Sequence, residues 1–247
     1  MPESTKPSER RSAARTSLVW EALLPVLDGA GDVLDIGGGT GGFAVRVAEL
    51  GHRVTVVDPS PDALAALDRR AREVGVAVTG QQGDLSTLLD VAGPASADVV
   101  MCHGVLEVVD DPAAALATIR AVLRPGGTLS VLVAQRHAAV VARAMAGHFA
   151  QALAMLDPSP GSGRRDPAAG GGRAGHRFTE DELRTLLAGA GFDVRTVHGV
   201  RVFADLVPGS LLDLEPGATA ALLDLERAVT ERPEFRPLAT QLHVLAR

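Results

Sequence analysis

The feature that most constrains the fold is an alternation of short apolar runs with helical patterns, which begins at Asp32. Seven runs are strand candidates: DVLDI (32–36), RVTVVD (53–58), VAVTGQ (76–81), ADVVMC (97–102), TLSVLVA (128–134), FDVRTVHGVRVFADL (192–206) and QLHVLA (241–246). Most are rich in valine and lack polar alternation, which is typical of parallel strands buried on both faces of a sheet. The sequence therefore predicts an α/β fold with a doubly wound, mostly parallel sheet of seven strands.

The length of 247 residues suits one large α/β domain. A polar opening predicts a flexible tail over residues 1–14, and the apolar spacing of Leu18, Trp20 and Leu23 predicts a helix at the start of a domain spanning 15–247. In the second half, a helical pattern over 138–156 leads into a Gly-, Pro- and Arg-rich segment that is too long for a simple connection. We interpret 138–177 as a helix followed by a Gly- and Arg-rich lid loop, with a disordered segment as the alternative.

Composition and charge exclude several classes of protein. The single cysteine, Cys102, cannot form a disulfide within the chain, so a cytoplasmic protein is expected. No apolar run reaches the ~18 residues that span a bilayer, and the histidines lack metal-ligand spacing, so neither a membrane nor a metal partner is expected. The net charge of −6 disfavours coating nucleic acid by bulk charge and leaves room only for local RNA contacts.

The strongest local motif is a strand that turns through glycines into a helix. Asp35 is followed by Gly37, Gly38, Gly39 and Gly41. Glycines allow positive φ and close approach of a ligand to the backbone, and the first N–H groups of a helix have no partner within it. The run also fits G-x-G-x-x-G, so by itself it does not separate a dinucleotide site from an adenosylmethionine site.

The context of the glycine turn separates these two ligands. VLDIGGGTGG (33–42) resembles motif I of the class I S-adenosylmethionine-dependent methyltransferases. Asp58 ends the second strand, where such enzymes bind the ribose hydroxyls, and Asp84 and Leu85 follow the third strand, where they hold the adenine amino group. LRPGG (123–127), before the fifth strand, is also common in these enzymes. The resemblance implies the class I methyltransferase fold, S-adenosylmethionine as cofactor and a methyltransferase activity.

Further segments narrow the resemblance to one family. HGVLE (103–107), MAGHF (145–149), GVRVF (199–203) and LLDLE (222–226) are similar to segments of the tRNA 5-carboxymethoxyuridine methyltransferases. These enzymes methylate a carboxylate on the wobble uridine of tRNA to its ester, so the resemblance implies tRNA as partner. The resemblance places the cofactor contacts on seven residues: Arg15, Gly37, Gly38, Asp58, Asp84, Leu85 and His103. Gly39 and Gly41 are added as candidates because they belong to the same glycine turn.

Two residues are candidates for the catalytic step. An ionised carboxylate is already nucleophilic at pH 7, so positioning and desolvation are expected to supply most of the rate. Arg201 is the predicted clamp for the acceptor carboxylate, because arginine offers a bidentate fork and GVRVF is expected to return beside the cofactor pocket. His103 would orient the cofactor or contact the acceptor. A structural alternative stays open, in which Arg201 only pairs with Asp205.

Other functions stay open at this point. A small-molecule O- or carboxyl methyltransferase of specialised metabolism would use 138–177 as a substrate lid and would have a closed apolar pocket lined by Met145, Phe149 and Leu156. The tRNA enzyme would instead have an open mouth rimmed by Arg143, Arg164, Arg165 and Arg201. A cofactor-binding module without catalysis and a nicotinamide-dependent dehydrogenase are further alternatives.

Overall fold

The computed structural model describes residues 7–156, 175–212 and 216–247. Within them, seven strands form one sheet: β1 (Asp32–Ile36), β2 (Arg53–Asp58), β3 (Val78–Gln82), β4 (Ala97–His103), β5 (Leu123–Ala134), β6 (Val194–Val200) and β7 (Gln241–Ala246). Their order across the sheet is β3-β2-β1-β4-β5-β7-β6. The sequence prediction of a seven-stranded α/β sheet is confirmed.

Most of the sheet is parallel. β1 pairs in parallel with β2 and β4, β2 with β3, and β4 with β5. Asp193 and Arg247, at the ends of β6 and β7, exchange both backbone hydrogen bonds at 2.7 and 2.9 Å. This reciprocal pattern belongs to antiparallel strands, so β7 runs against β6.

Ten α-helices lie in the described residues: α1 (Pro7–Leu27), α2 (Ala44–Glu49), α3 (Pro61–Val74), α4 (Leu88–Ala92), α5 (Pro112–Val122), α6 (Arg136–Met145), α7 (Phe149–Ala154), α8 (Glu180–Gly189), α9 (Gly209–Leu212) and α10 (Ala218–Val229). A 3-10 helix spans Pro233–Leu238. In β4, the consecutive residues Val99, Val100, Met101 and Cys102 are all buried. Successive side chains of a strand point to opposite faces, so this strand is covered on both.

The chain divides into two compact units. The sheet unit comprises Leu23–Val133, Asp181–Thr196 and Val244–Arg247, and it contains β1 to β4 and nearly all of β5. The helix unit comprises the chain up to Ala22, Ala134–Glu180 and Val197–His243, and it contains α6, α7, α9 and α10. Each candidate site residue belongs to one of these units.

Local details differ from the sequence predictions. The continuous helix expected over 138–156 is wrong, because Gly147 has a φ of +77° and separates α6 from α7. LRPGG forms the irregular start of β5 and is not a separate turn: Ala97 pairs with Leu123 but Val99 with Thr128, so β5 carries extra residues between them. β6 ends at Val200, earlier than expected.

The first helix begins earlier in the chain than the sequence predicts. α1 begins at Pro7, inside the segment predicted as a tail. The division into a tail over 1–14 and a domain over 15–247 stays a prediction, and residues 1–6 lie outside the described part of the chain.

Candidate functional site

The glycine turn follows β1 and leads into α2, and its shape excludes larger side chains. Gly37 and Gly41 have φ values of +65° and +78°, which side chains with a Cβ rarely adopt. A Cβ would lie 2.6 Å from Val105 Cγ2 at Gly37 and 2.3 Å from Leu67 Cδ1 at Gly41. Both conformation and space therefore favour glycine, and the turn presents bare backbone at the end of β1.

Asp58 ends β2 and is hydrogen-bonded to this turn. Its Oδ2 accepts the backbone N–H of Gly39 at 2.9 Å, and its Oδ1 accepts that of Ser60 at 2.9 Å. The side chain is nearly buried. A carboxylate oxygen has two lone pairs, so each can accept a second hydrogen bond, including one from a ligand hydroxyl.

Asp35, on β1, is a feature that the sequence analysis did not assign to the site. Its carboxyl group lies beneath the turn, where a Cβ on Gly38 would be 2.4 Å from Asp35 Oδ2. Burial, and secondarily the negative charge of Asp58, raises the pKa of Asp35 to about 7. Its position as an acid near the end of an apolar strand, two residues before the first glycine of the turn, was the available sequence signal.

Asp84 and Leu85 follow β3 at the same edge of the sheet. The N–H of Gly83 donates to the carbonyl oxygen of Asp58 at 3.2 Å, which ties this segment to the end of β2. Asp84 Oδ1 accepts hydrogen bonds from the hydroxyl and the N–H of Ser86, which hold the pKa of Asp84 below its ordinary value. The Asp84 side chain is exposed and Leu85 is buried.

His103 ends β4 and is held from two sides. Its Nε2 lies 2.8 Å from the hydroxyl oxygen of Ser130 on β5. Its ring packs edge-to-face against Phe43, with 5.2 Å between ring centroids and 81° between the planes. Phe43 directly follows the glycine turn and precedes α2, so this contact connects His103 to the turn.

The sheet unit thus brings most of the predicted cofactor residues to one edge. These residues lie at the carboxyl ends of four strands that are neighbours in the sheet: the glycine turn follows β1, Asp58 ends β2, Asp84 and Leu85 follow β3, and His103 ends β4. Ligands of open α/β sheets bind outside the carboxyl ends of the strands. Arg15 belongs to the helix unit, where it lies in α1, and its side chain is outside the described part of the structure.

Arg201 also belongs to the helix unit, and its side chain is engaged within that unit. Nη2 lies 2.7 Å from Oδ2 of Asp205, the partner considered in the structural alternative. Nε donates to the hydroxyl oxygen of Thr240 at 3.1 Å. Nη1 has no partner among the described residues. The edge of the guanidinium group formed by Nε and Nη2 is therefore held in place. The role of Arg201 as a clamp for the acceptor carboxylate stays a prediction.

Residues predicted to line the acceptor site have mixed outcomes. Met145, Phe149 and Leu156 are 69%, 71% and 50% exposed, so they do not by themselves form the closed apolar pocket that the small-molecule alternative predicts. Arg143 on α6 is half-buried. Arg164 and Arg165 lie outside the described residues, as does most of the predicted lid loop.

We also searched the described residues for a membrane-spanning helix, a metal site and a reactive cysteine. None of their helices is long and apolar enough to cross a membrane. In the same part of the chain, no three His, Cys, Asp or Glu side chains are grouped so that they could hold a metal ion. Cys102 is buried, which raises the pKa of its thiol and disfavours the thiolate.

Comparisons with known proteins agree with this geometry. Residues 34–131 match a family model described as a methyltransferase domain. The chain is 31% identical over 245 residues to the tRNA 5-carboxymethoxyuridine methyltransferase of Escherichia coli K12, covering 94% of this chain and 87% of that protein. It is 34% identical over 128 residues to a ubiquinone biosynthesis O-methyltransferase of Xanthomonas euvesicatoria, covering 51% of this chain and 52% of that protein.

A solved structure shows the same fold. The S-adenosylmethionine-dependent methyltransferase from Mesorhizobium loti superposes with a TM-score of 0.62 and 23% sequence identity, covering 96% of this chain and 99% of that chain. At this identity the likeness concerns the fold alone. The class I methyltransferase fold expected from the sequence is confirmed.

Proposed function

The chain belongs to the family of S-adenosylmethionine-dependent methyltransferases that includes the tRNA 5-carboxymethoxyuridine methyltransferases, and on that premise we propose its acceptor. The acceptor is the carboxylate of 5-carboxymethoxyuridine at the wobble position of tRNA, and the product is the methyl ester. The observation that carries this proposal is the extent of the 31% identity, which reaches 94% of the chain, well beyond the cofactor motifs.

The described residues fit an adenosylmethionine site. The glycine turn leaves backbone bare where a Cβ would clash, and Asp58 keeps lone pairs for the two ribose hydroxyls. The exposed carboxyl group of Asp84 can accept a hydrogen bond from the adenine amino group. We assign Arg15 to the carboxylate of the methionine moiety, as the family resemblance implies.

The chemistry of the step places few demands on the protein. When bound, S-adenosylmethionine supplies a sulfonium methyl group that a carboxylate oxygen takes up, leaving a neutral thioether and requiring no proton transfer. The protein therefore has to hold the acceptor carboxylate in line and exclude water.

Arg201 is suited to holding that carboxylate. Asp205 and Thr240 occupy the edge of the guanidinium formed by Nε and Nη2. The end formed by Nη1 and the remaining N–H of Nη2 can still bind both oxygens of a carboxylate. Because its orientation is set before the acceptor arrives, less side-chain entropy is lost on binding.

A small-molecule acceptor is the second candidate. The identity to the Xanthomonas ubiquinone biosynthesis O-methyltransferase over about half of both chains favours it. The exposure of Met145, Phe149 and Leu156 disfavours it, because within the described part of the chain these residues do not enclose an apolar pocket.

One experiment separates the candidates. The protein is incubated with methyl-labelled S-adenosylmethionine and bulk tRNA from a strain that lacks it, and the nucleosides are analysed by mass spectrometry. Labelled methyl ester of 5-carboxymethoxyuridine is the expected result. Absence of transfer, with cofactor binding verified by calorimetry, would reject the tRNA acceptor and favour a small carboxylate or hydroxyl acceptor. Cofactor binding without turnover on any acceptor would indicate a binding module.

A further inference from the structure

A buried carboxylate of α10 binds the turn that begins at Arg201. Glu226 is fully buried. Its Oε2 accepts the N–H of Val202 at 2.9 Å, and its Oε1 accepts those of Phe203 and Ala204 at 2.8 and 2.7 Å. Three successive N–H groups that converge on one anion form a backbone nest, and here the anion is supplied by the chain itself. These bonds offset the cost of burying the charge.

The turn starts with a strained residue. Arg201 has a φ of +59°, and among the described non-glycine residues only Ala95 also has a positive φ. A backbone of this kind persists only where the surroundings impose it, and such strain is concentrated at functional sites. Glu226 binds the N–H groups that follow Arg201, and the N–H of Thr240 donates to the Arg201 carbonyl oxygen at 3.3 Å. The backbone of Arg201 is thus held on both sides.

The same turn sets the orientation of the guanidinium group. Asp205, which binds Nη2 of Arg201, directly follows the last residue whose N–H donates to Glu226. The hydroxyl of Thr240 accepts from Nε of Arg201 and lies 2.9 Å from Oδ2 of Asp205. The distance between the side chains of Arg201 and Asp205 therefore depends on the conformation of the 201–204 turn, to which Glu226 is hydrogen-bonded.

We propose that Glu226 is a positioning residue for Arg201: its carboxylate fixes the 201–204 turn so that the guanidinium group presents its free end to the acceptor carboxylate. This inference rests on the proposed function. It assigns a role to LLDLE (222–226), a segment that the cofactor site does not use.

The test is a double-mutant cycle with Glu226→Gln and Arg201→Ala. Glutamine replaces one carboxylate oxygen with an NH2 group, which cannot accept a hydrogen bond from a backbone N–H. At least one hydrogen bond to the 201–204 turn is therefore lost. We expect each single variant to lower kcat/KM for tRNA by about tenfold or more, while the Kd for S-adenosylmethionine stays within about twofold. In the Arg201→Ala background, Glu226→Gln is expected to change kcat/KM by less than about twofold, because coupled residues are not additive.

A matched control distinguishes positioning from loss of stability. Glu180 forms an ion pair with the partly buried Arg236 at 3.0 Å in the same helix unit. Glu180→Gln is expected to lower the melting temperature without changing kcat/KM for tRNA. If Glu226→Gln behaves like this control, or if its effect multiplies with that of Arg201→Ala, the proposal is overturned. Glu226→Asp, which keeps the charge but shortens the reach, replaces Glu226→Gln if that variant does not fold.

A second readout needs no acceptor and separates failure of this inference from failure of the proposed function. The Nε–H signal of Arg201 in a nitrogen-15 NMR spectrum is assigned by its loss in Arg201→Ala. We expect Glu226→Gln to shift it and to increase its exchange with solvent. An unchanged signal overturns the positioning role, whereas a wild-type protein that binds the cofactor but does not methylate tRNA overturns the proposed function.

Discussion

Asp35 and Asp58, the two carboxyl groups at the glycine turn, differ in what surrounds them. Asp58 accepts two backbone N–H groups, whereas the carboxyl group of Asp35 has no hydrogen-bond donor among the described residues. The first is suited to accept hydrogen bonds from a ligand. The protonation of Asp35 depends on the charge of Asp58 and changes near neutral pH, because its pKa is raised to about 7. Substitution at each position therefore has a different expected outcome.

Replacing Asp58 with alanine is expected to weaken cofactor binding. If Asp58 binds the ribose as proposed, the change removes two charge-assisted hydrogen bonds to the cofactor, each worth roughly 1.5–3 kcal/mol. The Kd for S-adenosylmethionine, measured by isothermal titration calorimetry, should rise by about tenfold or more. Asp62→Ala, at an exposed acid in the first turn of α3, is the control and should leave the Kd unchanged. Equal affinities of wild type and Asp58→Ala would show that the site is elsewhere.

The raised pKa of Asp35 predicts that the free energy of unfolding depends on pH. Its pKa is raised to about 7 in the folded protein, while an unfolded chain has the ordinary value of 3.8. Between these values the folded state binds more protons than the unfolded state, so the free energy of unfolding falls as pH rises, by roughly 1.4 kcal/mol per unit. Asp35→Asn removes this dependence and should stabilise the protein relative to wild type more at pH 8 than at pH 5. Urea denaturation at both pH values measures it, and an identical difference at the two would contradict the assignment.

At the scale of elements, the glycine turn is a rigid connection between β1 and α2. Gly29 provides a comparison, because its φ is also +78° but a Cβ there would meet nothing within 4 Å. The two positions therefore share the backbone cost of alanine and differ in the contacts that a Cβ at Gly41 would make with Leu67 and Val45. Substitution of both separates conformational strain from the close approach that shapes the turn.

Gly41→Ala is accordingly expected to be more destabilising than Gly29→Ala. The left-handed backbone costs about 1–2 kcal/mol in either variant, and the clash with Leu67 adds about 1–3 kcal/mol only in Gly41→Ala. Thermal denaturation measures the difference. Cofactor affinity should fall in Gly41→Ala and be retained in Gly29→Ala. Equal effects of both on stability and affinity would mean that the turn accommodates a Cβ.

The strands, the glycine turn and Asp58 could be predicted because each is marked by a pattern of neighbouring residues in the sequence. Unalternated apolar runs located the strands, and the Asp35–Gly41 turn and Asp58 were found from their positions at strand ends. The break at Gly147 was missed because glycine is tolerated within helical patterns. The hydrogen bonds of Arg201 with Thr240 and of Glu226 with residues 202–204 join segments far apart in sequence, so no local pattern predicts them. The burial that raises the pKa of Asp35 likewise depends on the folded sheet.

For the whole molecule, the net charge of −6 limits how RNA can be bound. To act on tRNA as proposed, a chain of this charge has to bind it through a local patch of cations, and each neutralised phosphate contributes to the salt dependence of binding. The KM for tRNA is therefore expected to rise when salt is raised from about 50 to about 200 mM, while the Kd for S-adenosylmethionine changes little. Steady-state kinetics and calorimetry at both salt concentrations test this. An acceptor KM that does not respond to salt would contradict an RNA substrate.

The position of β7 bears on how this protein is made. It is the last strand in the sequence, yet it lies between β5 and β6 within the sheet. A ribosome that synthesises the chain completes the glycine turn and Asp58 first, whereas Glu226 and Thr240 emerge after Arg201. During translation, the nascent chain therefore has the residues of the cofactor edge before it has those that orient the guanidinium group. We expect the sheet to be completed last, when β7 takes its place between β5 and β6.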